Sequence, residues 1–245
     1  MIHIKRTLVI SDIHGCYNEF KKLLGKVKYN SVNDQLILLG DYIDRGKDSK
    51  KVVEFVKELV EVYGAIALRG NHDQMVQDWI RKPAKLTEWY FRNGGFETIK
   101  SYIPTAEEDV WYLDTYVKWA NMFWTEFNEH TEFLSSLPYY HEDDKHIYVH
   151  AGINPMLQDW KQTSREEFIW IRDEFLDGDH KQNKTVVHGH TPCLHLHDTE
   201  DIYFGDKKIG VDGACAYGFQ LNCLEISGEG YKTYFVESNK EGIGW

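Results

Sequence analysis

Residues 35–41, QLILLGD, stay apolar for four positions and then stop abruptly in a glycine and an aspartate. A short continuous apolar run of this kind fits a strand covered on both faces. The same shape occurs upstream in TLVISD (7–12) and downstream in AIALRGN (65–71). Between the runs lie helical spacings: Phe20, Leu23, Leu24 and Val27, then Val52, Val53, Val56, Leu59 and Val60. Ser49 is placed to cap the second helix and Gly64 to close it. Strand, helix and strand recurring at about 30 residues per unit is the βαβ pattern, which predicts an α/β fold with parallel strands.

Residues 74–145 change character. Stretches such as DQMVQDWIRKPAKLTEWYFRNGG carry many aromatic residues at loose helical spacing. They predict a helical insertion over the sheet, its rings mostly in the core, within one domain spanning 1–245. Strands resume in HIYVHAG (146–152), KTVVHGH (184–190), KIGVDG (208–213), LNCLEI (221–226) and YKTYFV (231–236). The close spacing of the last three predicts antiparallel pairing, and ESNKEGIGW (237–245) an exposed tail.

The net charge of −11 argues against a grip on nucleic-acid phosphates, which needs clustered Lys and Arg. It suits a site that attracts divalent cations. Cys16, Cys193, Cys215 and Cys223 form no C-x-x-C pair and read as reduced, buried thiols. The first apolar run is too short for a secretory leader or a membrane span. A cytoplasmic protein with no membrane contact is expected.

The strand ends hold the chemistry. Asp12, His14, Asp41, Asp44, Arg45, Arg69, Asn71, His72, His150 and His190 all follow apolar runs, and strand ends converge at one edge of an α/β sheet. On extended chain Asp12 and His14 project to one side, whereas the adjacent Asn71 and His72 diverge. Carboxylate, imidazole and amide oxygen suit Mn, Fe, Zn or Mg, and the donors suffice for two ions sharing one carboxylate. Two such ions about 3.5–4 Å apart are an arrangement for in-line displacement at phosphorus. Any one of these residues is commonly a cap or loop hydrogen-bonder. Three motifs in order with two more downstream are not explained that way.

Together SDIHG (11–15), GDYIDRG (40–46), RGNHD (69–73), VHAG (149–152) and HGHTP (188–192) resemble the calcineurin-like metallophosphoesterases. More narrowly, they resemble the phosphoprotein phosphatase family, which holds bacterial Ser/Thr phosphatases and symmetric diadenosine tetraphosphatases. The resemblance runs from residue 7 to about 226 and leaves 74–145 outside it in detail. It implies two packed mixed sheets flanked by helices, a four-layer sandwich, with two divalent metals at the strand ends and manganese as the expected pair. Asp12 and His14 would bind the first ion, Asp41 would bridge, and Asn71, His150 and His190 would complete the second site. Arg45 and Arg172, the latter in FIWIRDEF, would hold the phosphate. A metal-bridging water would attack phosphorus while His72, oriented and raised in pKa by Asp44, protonates the leaving oxygen.

Several residues stay open. Arg69 is placed either to touch phosphate or to neutralise carboxylates. Tyr217 is placed either to line the substrate cleft or to pack in a turn. His188, His195 and His197 read as supporting or surface residues, and Asp73 in RGNHD carries no assigned role. A bacterial-type Ser/Thr protein phosphatase is the expected function, with a dinucleoside polyphosphate hydrolase as the alternative. Aromatic residues of the insertion would favour the alternative if they stacked on adenine.

Overall fold

In the computed structural model, residues 6–107 and 112–239 are described. Strands β1 (Arg6–Ile10), β2 (Asp34–Leu38) and β3 (Ile66–Ala67) are parallel neighbours, joined through helices α1 (Tyr17–Lys26) and α2 (Ser49–Glu61). That is the βαβ arrangement the spacing predicts. Asp48 rather than Ser49 precedes the second helix, and Gly64 lies beyond its end in left-handed conformation.

Five helices follow: α3 (Asn71–Arg81), α4 (Pro83–Arg92), α5 (Gly95–Tyr102), α6 (Leu113–Thr125) and α7 (Asn128–Ser136). The helical insertion stops at Ser136, because Pro138 cannot continue a helix. Its predicted range runs on to 145, but that last part contains β4 (Tyr140–Glu142), an edge strand beside β5 (His146–Val149). Residues 108–111 of the insertion lie outside the described residues.

The rest of the chain builds the second sheet and returns to the first. Helices α8 (Arg165–Trp170) and α9 (Asp173–Leu176) precede β6 (Thr185–His188), and β7 (Tyr203–Gly205) and β8 (Lys208–Gly210) follow it. The second sheet has order β4-β5-β6-β8-β7. Strands β9 (Gln220–Ser227) and β10 (Gly230–Glu237) then complete the first, giving β10-β9-β1-β2-β3. Of the three closely spaced runs, only β9 and β10 pair with each other as an antiparallel hairpin. The first of the three, β8, is parallel to β6 and antiparallel to β7, a strand of three residues too short to show in the sequence. Loop 211–219 carries the chain from one sheet to the other. In the tail, Ser238 N–H donates to the Phe219 carbonyl and Asn239 to Glu19, while residues 240–245 lie outside the described residues.

Alternation along each strand makes the layers. On β1, Leu8 and Ile10 enter the helix-side core, while Val9 faces the other sheet; on β2, Leu36 and Leu38 divide from Ile37 in the same way. On β5 and β6, Tyr148 and Val187 meet Val9 and Ile37 between the sheets, and Ile147, Val149 and Val186 turn outward to α8 and α9. The result is helices, sheet, sheet, helices. Ile37 is 1% exposed in the thin middle layer, so its truncation to alanine would cost about 2–5 kcal/mol. Rings of the insertion pack on one another, with Trp79 stacked on Tyr90 at 5.4 Å and Tyr102 against Phe123 at 4.9 Å. These four rings are core, as expected, while Trp89, Tyr112 and Trp124 are exposed. Among the described residues no helix is long and apolar enough to cross a membrane.

Candidate metal and phosphate site

The ten strand-end candidates, Asp12 to His190, all lie past the end of their strands. Asp12, His14, Asp41, Asp44, Arg45 and His190 all take left-handed φ between 43° and 71°. Non-glycine residues pay for that conformation, and such costs gather at functional sites. Asp12 and His14 are therefore not on extended chain; the tight turn after β1 brings them to the cluster instead. Asn71 and His72 begin helix α3 rather than ending a strand, and successive helical positions send their side chains apart.

Two groups of buried donors meet at Asp41. One is His14, Asp41 and His72; the other is Asp41, His150 and His190, and within each group the ligating atoms lie within 4.8 Å of one another. Asp41 Oδ2 stands 3.4 Å from His14 Nε2 and 3.5 Å from His150 Nε2. Asp12 lies beside them, its Oδ2 accepting from the His190 amide at 3.0 Å and from the Ser11 hydroxyl. The cluster thus includes His72 among the possible donors, where the resemblance implies Asp12.

Tautomers follow from the carbonyls. His14 Nδ1 donates to Ile43 O at 2.7 Å and His150 Nδ1 to Leu39 O at 3.0 Å, so both Nε2 lone pairs face the cluster. His150 Nε2 meets Asn71 Oδ1 at 2.9 Å, two acceptors that a cation would reconcile. His190 Nε2 is buried with no hydrogen-bond partner among the described residues. Burial also pushes the Asp41 carboxyl well above its usual range, with Asp12 and Asp73 adding to the shift. These donors fit divalent cations.

Arg45 reaches across the opening. Its Nη1 donates to His14 Nε2 at 2.7 Å and its Nη2 to His72 Nε2 at 2.9 Å, while its guanidinium lies over Tyr217, 4.9 Å from the ring centroid. Tyr217 thus packs under Arg45 from the single helical turn 215–217. Arg172 projects between α8 and α9, its Nη1 donating to Thr191 Oγ1 at 3.2 Å.

His72 Nδ1 donates to Asp44 Oδ2 at 2.7 Å. Asp44 Oδ1 also accepts from Thr98 Oγ1 at 2.6 Å and Tyr90 OH at 2.8 Å, both from the insertion. Burial raises Asp44 to about 7. The expectation that Asp44 raises His72 is not met: burial, then Arg45, His150 and Arg172, hold its imidazole well below the usual range.

Other residues were not legible as site residues. Asp73 accepts from the amides of Gly70 and Asp41 at 2.9 Å and of Tyr42 at 3.2 Å, tying the loops after β2 and β3 together. A carboxylate three residues into a helix that starts at glycine is the signal that would have found it. Asp212 is buried and raised well above its usual range, by burial first and then Asp12. The Trp170 ring stands edge-on to His190 at 5.8 Å and is 37% exposed. Arg69 bonds Gln74 Oε1, Tyr139 OH and the Ser135 carbonyl, and among the described residues it has no carboxylate within 4.0 Å. His188 is fully buried against Phe175, whereas His197 binds the Asp201 carbonyl, apart from the cluster.

A family model for calcineurin-like phosphoesterases matches residues 5–221. The chain belongs to the calcineurin-like phosphoesterase family. As a member it is a phosphoester hydrolase of a divalent-metal-dependent family. It is 24% identical to serine/threonine-protein phosphatase 1 of Salmonella typhimurium, over 89% of this chain and 90% of that protein. It is 26% identical to the asymmetrical bis(5'-nucleosyl)-tetraphosphatase PrpE of Anoxybacillus flavithermus, over 88% of each. A solved structure described as a candidate diadenosine tetraphosphatase shares the fold, with TM-score 0.65 and 22% identity over 96% of this chain and 95% of that one.

The metallophosphoesterase turns leave no room for extra atoms. A Cβ on Gly70 would lie 2.1 Å from Asp41 Oδ1 and 2.4 Å from Asp41 N. Gly70→Ala is expected to displace Asp41, costing about 1–3 kcal/mol, roughly 2–4 °C of melting temperature for each kcal/mol. Bound metal and activity should fall with it. Calorimetry together with metal analysis checks this; an alanine variant with unchanged metal content would contradict it.

Proposed function

We propose that residues 1–245 act as one domain that hydrolyses phosphomonoesters as a bacterial-type Ser/Thr protein phosphatase. The observation carrying this reading is the pair of buried donor groups that share Asp41, with Arg45 and the His72–Asp44 pair alongside. Asp12, His14 and Asp41 would hold one cation; Asp41, Asn71, His150 and His190 would hold the other. Two divalent ions there, manganese by our reading, would supply Lewis acidity and acidify the attacking water.

The remaining work falls to side chains. Arg45 and Arg172 bind the phosphoryl oxygens as planar two-pronged donors. Moving Arg45 onto phosphate frees His72 Nε2, which now accepts from it. The arriving negative charge then favours a proton on that nitrogen, aimed at the leaving oxygen. Asp44 keeps the ring oriented, and Thr98 and Tyr90 keep Asp44 in place.

Trp79 and Tyr90 of the insertion are buried and unavailable to a base, whereas its Trp89 and Trp124 are exposed. One observation favours the second reading, a dinucleoside polyphosphate hydrolase: the half-exposed Trp170 beside His190 offers a stacking surface. Turnover of a phosphoserine peptide against diadenosine tetraphosphate separates the two, and preference for the dinucleotide would displace the phosphatase reading. Chelation is expected to abolish hydrolysis of either substrate and added manganese to restore it. Full activity in a protein shown to be metal-free would overturn both readings.

A further inference from the structure

A second positively charged cavity lies away from the strand-end cluster. It encloses about 460 Å³, is lined by Arg69, Arg81, Arg165, Gln74, Ser135 and Tyr139 among others, and has no acidic residue in its wall. Three arginines in a wall that holds no carboxylate are unexpected in a chain of net charge −11.

Arg69 is the anchor. It is only 9% exposed, and all its acceptors are neutral: Gln74 Oε1 at 2.8 Å, Tyr139 OH at 3.0 Å and the Ser135 carbonyl. Its Nε is buried and has no hydrogen-bond partner among the described residues. Among the described residues, neither Arg69 nor Arg165 has a carboxylate within 4.0 Å. Both guanidiniums instead lie over the Tyr139 ring, at 5.0 and 5.7 Å from its centroid. Two like charges held against one ring repel each other, and a buried cation without a counter-charge is costly. The nearest carboxylate, Asp78, is 3.9 Å from Arg81 at the exposed rim and already accepts from Gln74. Such a surface pair is weak and leaves Arg81 available. On its other side Arg81 joins a cavity lined by Lys82 and Lys85 together with Asp78, so that cations outnumber the one carboxylate there.

We propose that this cavity is a second anion site, which takes the phosphate group of a small phosphorylated ligand. Guanidinium forks match phosphate oxygens bidentately. The space far exceeds one phosphate and falls within the usual size of small-molecule pockets, roughly 300–1,000 Å³. The proposal does not depend on the catalytic reading, because no residue of the metal cluster lines the cavity.

The test is calorimetric titration of the metal-loaded protein with orthophosphate and, separately, with the methylenephosphonate analogue of adenosine 5'-monophosphate, whose P–C bond the enzyme cannot hydrolyse. Arg81 and Arg165 are exposed, so R81Q/R165Q should fold. A charge-matched control, K21Q/K22Q, removes two exposed charges from α1. Wild type and control should bind one equivalent more than R81Q/R165Q, or bind it at least about tenfold more tightly, since each charge-assisted bond contributes roughly that factor. Hydrolysis of an aryl phosphate should be unchanged within about twofold, as these residues lie outside the cluster. Tighter binding of the nucleotide analogue than of orthophosphate would identify a phosphorylated metabolite as the ligand, and the reverse order free phosphate. Identical isotherms for wild type and R81Q/R165Q with both probes, or equal losses in K21Q/K22Q, would overturn the site.

Discussion

Replacing Asp41 by asparagine is expected to reduce phosphoester hydrolysis by at least about 10³-fold, because it weakens both donor groups at once. Losing the cations would forfeit several kcal/mol of charge stabilisation at phosphorus, and about 4 kcal/mol corresponds to that factor. The exchange is isosteric, and the oxygen that accepts from the His72 amide at 2.9 Å is retained, so the loop should hold. Burial together with Asp12 and Asp73 disfavours a charge on Asp41 in the protein alone. Removing that charge should therefore leave the melting temperature of the metal-free protein unchanged or raise it. With metal present the order should reverse, since wild type gains stability from ions that the variant binds poorly. Two tightly bound metals and more than a tenth of wild-type activity in the variant would show that Asp41 does not join the two groups.

The same cluster shows what could be read from the chain. Strands β1 and β2 and the convergence of their ends were legible, because apolar runs and the residues that stop them are local signals. The turns were not: a left-handed φ at Asp12, Asp41 or His190 leaves no compositional trace when the residue is not glycine. Nor were the supports of Asp44. Thr98 and Tyr90 lie 54 and 46 residues away, on helices whose periodicity reports burial and not what a hydroxyl reaches. The insertion looked like a cover over the sheet, and it also positions the proposed acid. Strands β4 and β7 do not show because three residues on a sheet edge carry too little pattern to separate them from loop. The orientation of Arg69 depends on Tyr139 and the Ser135 carbonyl, both set by where α7 ends.

Replacing His72 by asparagine should give losses that depend on the leaving group. General-acid assistance is worth about 10²–10⁴ in rate when the departing oxygen needs a proton. A serine alkoxide needs one, whereas p-nitrophenolate leaves readily without it. His72→Asn should accordingly lose roughly that range on a phosphoserine peptide and far less on p-nitrophenyl phosphate. The geometry makes the experiment informative, because His72 also groups with His14 and Asp41 as a possible ligand. Its Nδ1 is committed to Asp44 and its Nε2 faces Arg45, so one nitrogen remains for either proton or metal. A proton donor predicts the substrate-dependent loss with metal content intact. A ligand predicts loss of one ion and equal damage on both substrates. Tyr90→Phe and Thr98→Val supply the intermediate case: the first removes one bond to Asp44 and the second two, since Thr98 Oγ1 also accepts from the Asp44 amide, and both leave the 2.7 Å contact with His72. Both should show the same leaving-group bias, more weakly, if orientation of the ring by Asp44 is what the acid requires. Equal losses on the two substrates in these variants would instead place Asp44 in the folding of the insertion rather than in the reaction.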